Sequence, residues 1–152
     1  MGKDPGFDTA LAHRYFAADC FNKTWEFIEK PNRTRDEDEQ MIRLAQASLW
    51  HWTHRADCKD MQLSIGHWLL ARVQALAGRV EEARRHADQC LQHSQGETPF
   101  HLAYAYEALA RAEKVAGNTS LTAKYKAEAV RLAETIEDAE DRKLLIDDLA
   151  SI

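Results

Sequence analysis

Apolar positions recur along this chain at the three-, four- and seven-residue spacings that place side chains on one face of a helix. Leu11, Ala18 and Trp25 lie seven apart, with Phe21 and Ile28 between and beyond them, which predicts a first helix over residues 8–30 stopped by Pro31-Asn32. Thr34 opens a second, over 34–55. Glu37 completes a capping box with it, and the acidic run Asp36-Glu37-Asp38-Glu39 falls in the first turn, where the helix dipole favours negative charge. A calcium loop needs a glycine and spaced Asp or Asn oxygens that this run lacks. A third helix is expected over 59–77, ended by Gly78, and a fourth comes next with Val80, Ala83, Ala87, Cys90 and Leu91 on one face. Residues 94–97 read as a loop. Thr98 is expected to cap a fifth helix, with Pro99 at its first position, where a missing N–H does no harm. Gly117 ends it. A sixth from Thr119 is expected to bury Leu121, Tyr125, Ala129, Leu132 and Ile136, and a last one from Asp138 carries Leu145, Leu149 and Ile152 on one stripe. Seven helices joined by short turns predict an all-α fold, an antiparallel helix-hairpin array with no room for a sheet.

Composition supports a single domain of this kind. The 152 residues are 45% hydrophobic and 30% charged, and only six Gly and three Pro interrupt a chain rich in strong helix formers. The net charge of −5 argues against nucleic acid as a partner, because duplex binding rests on clustered Lys and Arg. Uncharged stretches such as 45–54 and 61–71 fall far short of the roughly 20 residues a membrane-spanning helix needs. The first residues carry neither a signal-peptide core nor the Ser or Thr of a myristoylation site, so a cytoplasmic location is expected. Cys20, Cys58 and Cys90 are odd in number and widely spaced, as suits reduced thiols.

The chain also repeats itself. Leu70-Ala71-Arg72-Val73-Gln74-Ala75-Leu76-Ala77-Gly78 recurs 39 residues later as Leu109-Ala110-Arg111-Ala112-Glu113-Lys114-Val115-Ala116-Gly117, with five of nine positions identical. Ala71 and Ala110 lie seven before the glycine, where neighbouring backbones approach closely. Small residues punctuate the helix after each glycine: Ala83, Ala87 and Cys90 in one copy, Ala123, Ala127 and Val130 in the other, displaced by one extra residue to give a period of 39 to 40. Each unit is a helix pair unable to bury its own face, which signals an α-solenoid.

On these residues the chain resembles the tetratricopeptide repeat family, best over 64–134, and a group of bacterial tetratricopeptide-like proteins, a likeness that implies no activity. The resemblance implies a degenerate first helix pair (8–56), two repeats (60–95 and 99–136) and a solvating cap (138–152). It further implies that the first helix of each pair lines a concave groove for a peptide or protein partner. Carried over, that face is Ile65, Trp68, Arg72 and Leu76 on one helix and Tyr104, Glu107, Arg111 and Lys114 on the next. Trp68, Arg72, Tyr104, Glu107 and Arg111 are the groove candidates, since aromatic rings and guanidinium groups dominate binding energetics. The competing reading makes Arg72–Glu107 an internal ion pair and Trp68 part of the core. The family's clamp for acidic chaperone tails is not matched, because its positions hold Trp68, Arg72 and Ala108.

Chemistry beyond binding is sparse. His51, His54 and Cys58 share roughly one helix face, as do His86, Cys90 and His93, but each set offers only three zinc ligands. No H-E-x-x-H, E-x-x-H, phosphate loop or G-x-S-x-G occurs, so no catalytic residue, metal or cofactor is assigned. Trp25, His51 and Trp52 suggest an alternative: a small-molecule or metal pocket between the first three helices, against the reading that these rings fill the first layer. Asp147-Asp148 and Glu140-Asp141 are expected to face solvent. The leading expectation is a noncatalytic binding module, with a peptide, a protein or a second copy of the chain as partner.

Overall fold

A computed structural model describes residues 2–152 as seven helices: α1 Thr9–Ile28, α2 Arg35–Thr53, α3 Asp60–Leu76, α4 Val80–Ser94, α5 Pro99–Val115, α6 Thr119–Ala133 and α7 Ala139–Ala150. Among the described residues there is no strand. Local chemistry accounts for most boundaries. Asp8 and Thr34 accept N–H bonds at the starts of α1 and α2, and Thr34 with Glu37 forms the complete capping box. Thr98 occupies the N-cap of α5 but bonds no backbone N–H. Its hydroxyl lies 2.9 Å from His101 Nδ1, so the proline alone sets that start. Gly78 and Gly117 both take φ +75°, a conformation that L side chains resist, and so turn α3 into α4 and α5 into α6.

The repeat is stricter than its small residues suggest. α3 and α5 are each 17 residues long, α4 and α6 each 15, and every boundary of the second pair lies 39 after its counterpart. There is no extra residue. The positions equivalent to Ala83 and Cys90 are Thr122 and Ala129, both buried, whereas Ala123, Ala127 and Val130 are exposed. Thr122 is admitted at a close-packed site because its hydroxyl donates to the Asn118 carbonyl at 2.8 Å, leaving no unpaired polar group.

The α1 stripe is corrected likewise. Its buried residues are Ala17, Cys20 and Thr24, while Leu11 and Ala18 are exposed. The contact with α2 combines close approach and bulk: Ser48 Oγ donates to the Ala17 carbonyl at 2.7 Å, and Phe21, Trp25 and Ile28 pack on the core that Met41, Ile42 and Ala45 share with α3. The seven-residue spacing finds the large part of this face and misses the small part.

Consecutive helices pack as antiparallel neighbours. In addition α3 packs on α5 and α5 on α7, so these three form an inner row. Ala71 and Ala110 are both buried within it. Met41, Ile42 and Ala45 of α2 pack against Leu69, Leu70 and Val73 of α3, and Ala103 and Leu132 receive Leu145 and Leu149 of α7. α7 is therefore the third member of the inner row; it buries Leu145 and Leu149 and leaves most of its other residues at the surface. No described helix is long and apolar enough to cross a membrane.

Candidate functional site

On the inner row, one carboxylate gathers the side chains that the repeat brings into line. Glu107 of α5 is fully buried. Its Oε2 accepts the Trp68 indole N–H at 2.8 Å, and its Oε1 accepts from Arg72 at 3.2 Å and from Arg111 Nε at 2.7 Å. Trp68 and Glu107 hold the same position in consecutive units, 39 apart, as do Arg72 and Arg111. The register that stacks the hairpins thus stacks donors on an acceptor. Burying a carboxylate costs several kcal/mol unless it is paired and hydrogen-bonded, and here two guanidinium groups and an indole meet that need.

α7 completes the network. Asp148 accepts the Tyr104 phenol at 2.7 Å, and its other oxygen lies 3.6 Å from Arg72. Arg111 also donates to the Asp148 carbonyl and to Ser151 Oγ, at 3.2 and 2.9 Å. Burial, then the hydrogen bond and charge of Asp148, push the Tyr104 phenol well above its ordinary range, so it stays protonated as the donor. Through these bonds the two carboxylates fix the Trp68 and Tyr104 rings.

What it holds is a cavity of about 380 Å³. Trp25, Ile65, Trp68, Phe100, Tyr104 and Leu144 form most of its wall, with Asp148 and His101 among the polar members. Trp25 and Trp68 meet at 5.8 Å, Trp68 and Tyr104 edge-on at 5.5 Å, and Phe100 and Tyr104 at 5.0 Å. Burial pushes the Cys90 thiol at the cavity's edge up to about 11, which keeps it from acting as a nucleophile at neutral pH.

All five groove candidates therefore fall in one connected cluster, but Glu107 is fully buried, so Arg72–Glu107 is the internal ion pair of the competing reading, and Trp68 packs on the core while also lining the cavity. The alternative set does not stay together. Trp25 joins Trp68 at the cavity just described. Trp52 lines a separate hollow of about 200 Å³ with Phe21 and Gly66, its ring covered by the Arg55 guanidinium at 3.7 Å. His51 turns instead to His13, with Nδ1 atoms 2.9 Å apart, while His54 stacks on His13 at 4.8 Å. Successive residues of one helix point about 100° apart, which separates His51 from Trp52. Asp148 corrects a further expectation: it faces the cluster, not solvent.

The histidine sets regroup across helices. His86 pairs with His67 of α3 (Nδ1 to Nδ1, 3.1 Å) and His93 with Asp60 at 2.8 Å, while Cys90 lies against Ser64 and Ser94. Burial and neighbouring positive charge push His67 and His86 down to about 4, so they are neutral at pH 7 and one N–H is shared between them. Among the described residues no three His, Cys, Asp or Glu side chains converge as a metal site. Asp148, Phe100 and Leu144 are the residues that sequence reasoning missed; the one usable signal was that Leu145 and Leu149 define the buried face of the last helix, which sets Leu144 and Asp148 one residue to its side.

No protein-family model matches the chain, and neither curated proteins nor solved structures give a match.

Proposed function

We propose that this chain is a noncatalytic binding module of the tetratricopeptide kind, whose α3–α5–α7 row recognises a peptide or protein partner by seating one of its apolar groups in the aromatic cavity. The observation that carries this reading is that cavity: about 380 Å³, walled by aromatic and aliphatic side chains, of which the Trp68 and Tyr104 rings are held by the Glu107–Asp148 network. Rings held in advance lose little freedom on binding, and aromatic anchors in desolvated pockets supply most of the affinity of an interface. A displayed-peptide selection tests it. Peptides sharing one apolar anchor should enrich on the native protein and be lost on Leu144→Trp, which fills the mouth from a half-exposed position and leaves the network intact. A folded Leu144→Trp protein that retains those peptides overturns the assignment.

A second reading is self-association. Phe7, Leu11, Tyr15, Phe16 and Trp50 are all exposed at the α1–α2 end, the first three spaced four apart on one side of the chain. Contiguous exposed apolar residues of this size mark interaction surfaces. Light scattering should show a dimer that Leu11→Glu with Tyr15→Lys converts to a monomer; a monomer at all concentrations removes this reading and leaves the cavity untouched.

A further inference from the structure

The cavity lining sorts by chemistry. Four of its ten residues, Trp25, Trp68, Phe100 and Tyr104, are aromatic, and the rings meet at angles, so they form a corner and not a flat stack. One carboxylate, Asp148, belongs to the lining, and among the described residues no lysine or arginine does. Arg111 is turned to Glu107, whereas Arg72 reaches both Glu107 and Asp148, 3.6 Å from the latter, with its guanidinium carbon 5.8 Å from the centre of the Trp68 ring. An occupant therefore meets the rings of Trp25, Phe100 and Tyr104, whose faces carry negative charge density, and a carboxylate whose charge Arg72 offsets only in part at that distance.

We infer that the cavity takes a quaternary or multiply methylated ammonium group, an inference that rests on the binding-module reading of the same site. The other charged occupants are disfavoured by something in the wall, and a neutral apolar anchor, which the wall admits, gains less than a methylated ammonium. An anionic head group is repelled by Asp148. A bare ammonium ion brings three N–H donors into a wall that is almost wholly apolar, and unpaired donors are costly to bury. A neutral apolar group gains burial but nothing from the ring quadrupoles or the carboxylate. A methylated ammonium presents methyl groups to the rings and carries its charge within about 6 Å of their centres, where cation–π attraction is strongest when water is excluded. The volume lies near the lower end of the roughly 300–1,000 Å³ of small-molecule sites, which suits a head group better than a long chain.

The test compares choline with 3,3-dimethylbutan-1-ol, its uncharged carbon isostere, by calorimetry and by fluorescence of the native protein, since Trp25 and Trp68 line the cavity. Choline should bind about tenfold or more tightly than the isostere. Asp148→Asn should cut choline binding several-fold and leave the isostere unchanged, because an amide oxygen still accepts the Tyr104 phenol. Equal binding of the two probes overturns the cation assignment while the apolar pocket survives. Binding of neither overturns both. If Asp148→Asn does not fold, the probe ratio on the native protein decides alone. A peptide bearing trimethyllysine, set against the same peptide with lysine, identifies the source of the group: a gain on methylation places it on a protein partner, and choline binding without that gain places it on a free amine.

Discussion

Glu107 shows how much structural weight one side chain carries here. It is fully buried and satisfies three donors from two helices, so its removal leaves the Trp68 indole N–H without an acceptor and leaves Arg72 and Arg111 only their contacts at Asp148 and Ser151. Breaking a buried pair in this way costs about 3–5 kcal/mol. Glu107→Ala should therefore lower the melting temperature by on the order of 10 °C, at roughly 2–4 °C per kcal/mol for a chain of this length. Glu107→Gln, which keeps an acceptor, should fall well short of that. Thermal unfolding by circular dichroism separates the two. The histidines give a second prediction at this scale. His67 and His86 fall from an ordinary value of 6.5 to about 4, chiefly by burial; His86, His93 and Arg85 add to it for His67, and Arg85 for His86, against a smaller opposing effect of Glu82 on His86. Between pH 6.5 and 4 the unfolded chain takes up protons at these sites and the folded one does not. Stability is thus complete above about 6.5 and declines as pH falls towards 4, with a limiting slope of about 1.4 kcal/mol per pH unit for each imidazole. Urea midpoints at pH 7 and 5 should differ accordingly, and the difference should shrink in His67→Gln.

At the scale of elements, the hairpin turns and α7 carry separate burdens. Gly78 and Gly117 share a positive φ with open space around the missing Cβ, so alanine meets no neighbour there and only backbone strain remains. Each substitution should cost about 1 kcal/mol in urea unfolding. Leu145 differs in kind. It is fully buried between α5, α6 and α7, and Leu145→Ala should cost about 2–5 kcal/mol, with the α7 carboxylate displaced from Tyr104 and choline binding lost with it. Helix number and order were legible in the chain because propensity, caps and glycines act locally. The α6 face was legible in part, since Ala129, Leu132 and Ile136 are buried and Tyr125 packs on the core. The small-residue positions of α1 and α6 were not, because Ala17 is buried by close approach to Ser48 and Thr122 by a local bond to the Asn118 carbonyl, neither of which a count of large side chains registers. The groove candidates were legible through the 39-residue match. Asp148 was not, since its role depends on α7 packing against α5, and no repeat signal marks that helix.

For the molecule as a whole, the cluster joins the two regular hairpins to α7 through four buried or half-buried charged residues, Arg72, Glu107, Arg111 and Asp148, so unfolding should be cooperative across residues 60–152, while the α1–α2 pair stands outside the register. Trp68 and Glu107 occupy one and the same slot of consecutive units, yet one gives a hydrogen bond and the other takes it. The array therefore has a reading direction. Transposing the two hairpins would set glutamate ahead of tryptophan and leave neither facing its complement. Lengthening the protein by splicing in a tandem copy of residues 60–98 would bring indole onto indole and strand the guanidinium of the inserted arginine. Extending the array beyond its second unit therefore needs a donor, not another glutamate, at that slot, since two buried carboxylates stacked there would repel.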